Sequence, residues 1–100
     1  MMMKFKLNYS DEAKGQFLEL ESNKNKVKQY KAVAKTLGLM QTNLRHPSLH
    51  THKYDAIESP FGAEVFESYA QNKTPKAYRV FWCYGPGRSE LYIIAITPHP

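Results

Sequence analysis

The spacing of hydrophobic positions changes period twice along the chain. Phe5, Leu7 and Tyr9 alternate with Lys4, Lys6 and Asn8, the pattern of a strand with one buried face. Ser10 stands where an N-cap would, and Asp11 and Glu12 follow in a first turn, where carboxylates meet the positive end of the helix dipole. Ala13, Phe17 and Leu20 recur at helical spacing and predict a helix over 11–22. Gly15 inside it costs about 1 kcal/mol of helix stability. Val27, Tyr30, Ala34, Leu37 and Met40 predict a second helix over 24–42, with Lys24, Lys28, Lys31 and Lys35 striping another face. Almost nothing separates the two, so an antiparallel helical hairpin is expected.

The period then returns to two. Leu44 to Leu49 reads as a helix exit and turn, and His50, His52 and Tyr54 alternate with Leu49, Thr51 and Lys53 in a short extended piece. Ser59-Pro60-Phe61-Gly62 is a turn signal. Three strand-like runs follow: 63–70, 77–84 and 90–97. A polar loop containing Pro75 separates the first two, and the turn Gly85-Pro86-Gly87-Arg88-Ser89 separates the last two. The last run is nearly continuous in apolar residues and reads as a central strand covered on both faces. The order β-α-α-β-β-β predicts an α+β fold, a single domain over 1–100 with the helical hairpin on one face of an antiparallel sheet.

A chain of 100 residues can bury a core without disulfide or metal support. Cys83 is the sole cysteine, which fits a reducing, cytoplasmic setting. The start MMMKFKLNYS lacks the apolar stretch of a secretion signal, and no run is long and apolar enough for a membrane span. The net charge of +5 and the pI near 9.4 suit a polyanionic partner, or simply solubility.

Some residues break the pattern and become candidates for chemistry. Arg79 lies mid-strand among apolar and aromatic residues, where a charge is costly without a partner or a task. A guanidinium suits bidentate phosphate contact, and the competing role is an ion pair with Glu67 or Glu64 on the adjacent strand. His46, His50, His52 and Lys53 make a basic cluster in one segment, either a functional surface or a hydrogen-bonded turn. His50 and His52 would point the same way, but two histidines lack the further ligands a zinc site needs, so no metal is expected. Arg88 sits in a glycine-rich turn, as a phosphate contact or a solvated charge. Tyr78 and Tyr92 are stacking candidates or sheet-face residues, whereas Phe81 and Trp82 read as core. The lysine stripe is a solvated face or an RNA contact.

Four segments carry a family resemblance. Leu44-Arg45-His46-Pro47-Ser48-Leu49-His50-Thr51-His52-Lys53 resembles the "NPRHPxLxxHKL" segment that follows the helical hairpin in many RelE/ParE toxins. Val65 to Tyr69 resembles their "LWELR" strand, and Tyr78-Arg79-Val80-Phe81-Trp82 their "YRVxY" strand. Ile93 to His99 resembles the closing strand and tail, which often ends in a histidine or a basic residue. The likeness runs from about residue 4 to the end.

The resemblance implies a toxin of a type II toxin–antitoxin system, of the plasmid-stabilisation type, silenced by an acidic antitoxin. RelE-type members cleave messenger RNA in the ribosomal A site, and ParE-type members inhibit DNA gyrase without nuclease activity. A third possibility is an orphan member with no toxicity. Cleavage by attack of a ribose 2′-OH on its phosphate wants a base, a cation and an acid, and no cofactor. On this reading Arg79, His99, Glu67 and His52 are the catalytic candidates, and Lys53, His50, Arg88, Arg45 and Tyr92 the nucleic-acid contacts. Glu67 and Tyr69 stand where active RelE-type strands commonly carry Lys or Arg. Glu67 is then either a base, as in members that use a glutamate, or a sign of a weakened phosphate site.

Overall fold

The structure is a computed structural model and describes residues 4–99. Its elements are β1 (Lys6–Tyr9), α1 (Asp11–Ser22), α2 (Val27–Thr42), β2 (His52–Lys53), β3 (Val65–Tyr69), β4 (Tyr78–Tyr84) and β5 (Glu90–Pro98). The strands form one sheet in the order β1-β5-β4-β3-β2. The expected α+β architecture is present, with two additions. The short extended piece becomes a fourth antiparallel strand, β2, and β1 joins the far edge parallel to β5, so the sheet is mixed. The helical hairpin between β1 and the rest of the chain supplies the long connection that parallel pairing needs.

Ser10 caps α1 as expected: its Oγ accepts from the amide of Ala13 at 2.9 Å. The same hydroxyl donates to the carbonyl of Ile94 at 2.6 Å, and the Gln16 side chain accepts from the amide of Ile96 at 2.6 Å. The pairing of β1 with β5 stops at Tyr9 and Ile93. Side chains of α1 thus satisfy the backbone of β5 where its strand partner ends.

The second helix begins later than its periodicity suggested. Lys24–Lys26 form a 3₁₀ turn, and Val27 is exposed rather than core-facing. The buried apolar positions are Val33, Leu37 and Met40, which close on Leu20 and Ala13 of α1 and on Tyr78, Val80, Trp82, Leu91, Ile93 and Ile96 of the sheet. Trp82 is fully buried, and its indole N–H donates to Ser68 Oγ at 2.9 Å. Ser68 Oγ in turn meets Thr51 Oγ1 at 2.7 Å, which fastens the segment before β2 to the sheet.

The long apolar run of β5 has two causes. The register shifts between Phe81, opposite Ala95, and Trp82, opposite Ile93, so Ile94 is extra and core-facing residues follow at Leu91, Ile93 and Ile96. The other face of the sheet is covered at one end by the loop 54–64. Tyr54 packs on Phe81 at 4.8 Å between ring centroids, and Phe61 meets Tyr92 edge-on at 5.2 Å. Beneath this loop Cys83 is fully buried, and burial pushes its thiol pKa up.

Two outcomes follow from this packing. Cys83 should resist alkylation by iodoacetamide in the folded protein and react on addition of urea, because the thiolate is the nucleophile and burial disfavours it. Fast labelling of the native chain would mean that the loop 54–64 does not cover the strand. Ser10→Ala removes a cap and a tie to β5, and should lower stability by about 1–2 kcal/mol in urea unfolding.

Candidate functional site

The uncovered end of the open sheet face carries the polar residues. Alternation along β3 sends Phe66 and Ser68 toward the helices and Glu67 and Tyr69 to the open face. Along β4 it sends Val80 and Trp82 inward and Arg79 and Phe81 outward. The register sets Glu67 opposite Phe81 and Tyr69 opposite Arg79, which makes Glu67 and Arg79 diagonal neighbours. On the other side His52 of β2 is directly opposite Glu67.

Glu67 is the centre of the cluster, with only 2% of its surface exposed. Its Oε1 lies 2.7 Å from His52 Nε2. Its Oε2 lies 3.6 Å from Arg79 Nε and 3.4 Å from His99 Nδ1. Oε2 and Arg79 Nε are both buried, and neither makes a hydrogen bond. They attract as charges while each lacks a donor or acceptor at bonding distance. His52 Nδ1 faces the carbonyl of His50 at 2.8 Å, so both of its ring nitrogens meet oxygen acceptors. The ring is fully satisfied when a proton lies between Nε2 and Oε1.

His50 adopts a left-handed backbone, φ 46°, at the end of the 3₁₀ turn Pro47–Leu49. That turns the chain into β2 and aims His52 at β3. His99 is held as well: its amide donates to the carbonyl of Ala77 at 2.7 Å, extending the β4–β5 ladder beyond Pro98. The side chains of His52 and His99 are 46% and 48% exposed, so the buried carboxylate carries two imidazoles that reach solvent.

Arg79 is largely committed to the fold. Its Nη1 donates to the carbonyls of Gln71 and Tyr78, and its guanidinium lies over the Tyr69 ring with Cζ 3.6 Å from the centroid. With Nη1 hydrogen-bonded and Nε buried against Glu67 Oε2, Nη2 is the nitrogen left for a substrate. Tyr69 and Gln71 were not among the site residues read from sequence. Tyr69 was legible in principle, because aromatic rings are common partners of a buried guanidinium.

Of the four catalytic candidates, Arg79, His99 and His52 therefore come together on the carboxylate of the fourth, Glu67. His50 adjoins them, its ring 5.0 Å from Tyr69. Lys53 points the other way and pairs with Glu64 at 3.0 Å on the surface. Arg45 is exposed in the segment after α2 and stands apart from the carboxylate. Arg88 lies in the β4–β5 turn, at the opposite end of that hairpin from His99. Tyr92 is beneath Phe61 under the covering loop. Neither Arg88 nor Tyr92 reaches the cluster. Among the described residues no group of three His, Cys, Asp or Glu side chains is placed to hold a metal ion, and no helix is long and apolar enough to cross a membrane.

The chain matches no protein-family model and no curated protein. Solved structures share its fold. The YoeB dimer of Staphylococcus aureus superposes with a TM-score of 0.61 at 13% identity, covering 97% of this chain and 99% of that one. The archaeal RelE of the RelE–RelB complex from Pyrococcus horikoshii OT3 gives 0.63 at 10% identity, over 96% of each chain. The YoeB/ParE toxin of Agrobacterium tumefaciens gives 0.62 at 8% identity, over 96% of this chain and 100% of that one. The fold is the one these YoeB, RelE and YoeB/ParE structures share, and it spans nearly the full length of each of them.

Removing Glu67 leaves a buried guanidinium without its counter-charge. Glu67→Ala should cost about 3–5 kcal/mol of stability, the usual loss when one member of a buried pair is deleted. His99→Ala, at a half-exposed position, should cost no more than about 1 kcal/mol. Equal urea midpoints for Glu67→Ala and the unmodified chain would show that the carboxylate is not buried among cations in solution.

Proposed function

We propose that this protein is the toxin of a type II toxin–antitoxin system and acts as a ribosome-dependent messenger RNA endonuclease. The observation that carries this reading is the buried Glu67 carboxylate flanked by His52, His99 and Arg79 on an uncovered sheet face. The fold it shares with YoeB and RelE supports the class. The side chains of His52 and His99 both reach solvent.

In the proposed reaction the 2′-OH attacks the neighbouring phosphorus, and the bond to the 5′-oxygen breaks. One end holds a 2′,3′-cyclic phosphate and the other a 5′-OH. His99, whose Nε2 makes no hydrogen bond among the described residues, takes the proton from the 2′-OH and returns it to the departing 5′-oxygen. His52, with both ring nitrogens engaged by Glu67 Oε1 and the His50 carbonyl, holds Glu67 in place. Arg79 Nη2 offers positive charge to the phosphate, with its plane fixed by Tyr69 and two backbone carbonyls. No metal or cofactor enters this scheme.

The proposed partners are the ribosome with its messenger RNA and a cognate acidic antitoxin. The antitoxin is supported by the net charge of +5 and by the RelE neighbour, which was solved as a complex with RelB. A short acidic reading frame beside the gene would supply it.

Expression without that partner should arrest growth, and primer extension should find transcripts cut within ribosome-bound codons. His99→Ala should slow cleavage by about 10²–10⁴-fold, the usual worth of one acid or base, and His52→Ala, which acts through Glu67, by less. Arrest with intact transcripts and a DNA-damage response would replace this reading with gyrase inhibition. Harmless expression at high level would remove both.

A further inference from the structure

A second concave feature lies across the sheet edge from the carboxylate cluster. It is an open groove of about 440 Å³ between the segment after α2 and the ends of β3 and β4. Leu44 and Arg45 form one wall, Phe66 and Tyr84 the other, Trp82 lies at its base, and His50 stands on its rim.

The aromatic wall is ordered by its own contacts. Phe66 stacks on Trp82 with centroids 5.0 Å apart and planes at 27°. Tyr84 meets Trp82 edge-on at 5.1 Å and Phe66 edge-on at 5.9 Å. Tyr84 is nevertheless 49% exposed, a large ring left facing solvent beside a half-buried phenyl. Apolar walls alone would not name an occupant, but the charge does. Arg45 is exposed and makes no ion pair among the described residues. No Asp or Glu occurs between Glu21 and Asp55, so every formal side-chain charge on the α2-to-β2 wall is positive. An occupant with a flat π-face and a negative backbone fits aromatic rings next to an unpaired guanidinium.

His50 connects this groove to the site already described. It lines the groove, its ring packs on Tyr69, and its carbonyl receives His52 Nδ1. A strand crossing the β2 edge at His50 would meet the carboxylate cluster on one side and the aromatic groove on the other. We infer that the groove binds a nucleobase of single-stranded RNA, close in sequence to the phosphate held at Glu67, His52 and His99. The inference rests on RNA being the substrate and adds a second contact, made by Tyr84 and Arg45, that fixes where along the strand the cut falls.

Trp82 is the sole tryptophan and packs on both Phe66 and Tyr84, so its fluorescence reports on the groove through those rings. The full-length protein is titrated with a short, fully 2′-O-methylated RNA, which cannot be cut. A saturable change in Trp82 emission is expected, with affinity about tenfold weaker for Tyr84→Ala and near the original for Tyr84→Phe. Arg45→Gln should weaken binding and flatten its salt dependence. Inorganic phosphate alone should leave the emission unchanged. Tyr84 is half exposed, and circular dichroism checks that each variant is folded. Unchanged emission with RNA, an affinity indifferent to Tyr84→Ala, or an equal response to phosphate would each overturn the inference, and the first would leave the groove to a protein side chain. The two proposals fail separately. Tyr84-dependent binding of RNA that the protein never cleaves keeps the base site and removes the endonuclease. Cleavage that is equal in rate and position for the unmodified chain and Tyr84→Ala, with emission unmoved, does the reverse.

Discussion

The burial of one carboxylate governs the uncovered end of this molecule. Glu67 is almost completely removed from water on the face of the sheet away from the helices. A carboxylate in that position is costly unless cations or donors surround it, and here they come from three separate strands or strand ends. Arg79 arrives from β4, His52 from β2 and His99 from the end of β5. Each is tied to the backbone of a different segment: Arg79 to Gln71 and Tyr78, His52 to His50, His99 to Ala77. Both residues of the short strand β2 are exposed, so the contacts of His52 with Glu67 and with the His50 carbonyl help to fix its position.

The other fixed point is Trp82. Its ring fills the centre of the core, and its N–H begins a chain through Ser68 to Thr51. That chain crosses β3 from the helix side and holds the segment carrying His50 and His52. The core and the site are thus linked through one residue on each of three neighbouring elements. The proposed acid–base chemistry would use this anchoring, since its groups must be held within hydrogen-bond reach of a phosphate.

Most of this was legible in the sequence where a local rule applied. Alternation and helical spacing located the two helices and the strands to within a few residues, although β2 is exposed and β4 is buried on both faces. Arg79 stood out because a charge within an apolar run needs a partner, and Glu67, one of two acids weighed for that part, provides it. What depends on register was not legible. Nothing in the spacing of His52, Glu67 and His99 says that they meet, because that follows from the pairing of β2 with β3 and the extension of β4–β5 past Pro98. Arg88 and Tyr92 were singled out by residue type, but type does not say which end of a hairpin a residue occupies. The loop 54–64 had only a turn signal, and its covering of Tyr92, Phe81 and Cys83 comes from aromatic pairs that have no sequence period.

The geometry also bears on how the chemistry would divide among these groups. A general base must have a free lone pair directed at the proton it removes. Glu67 offers little of this: one oxygen is engaged by His52, and the other is buried between Arg79 and His99. Glu67 therefore suits the part of a positioning residue, fixing the orientation of two imidazoles that do reach solvent. Arg79 is restricted in a similar way, since Nη1 bonds to two backbone carbonyls and Nε is buried. The positive charge offered to a phosphate is correspondingly small within the cluster. A site of this kind gains from a second hold on its substrate, and the unpaired Arg45 beside exposed aromatic rings stands at the distance of one crossed strand edge.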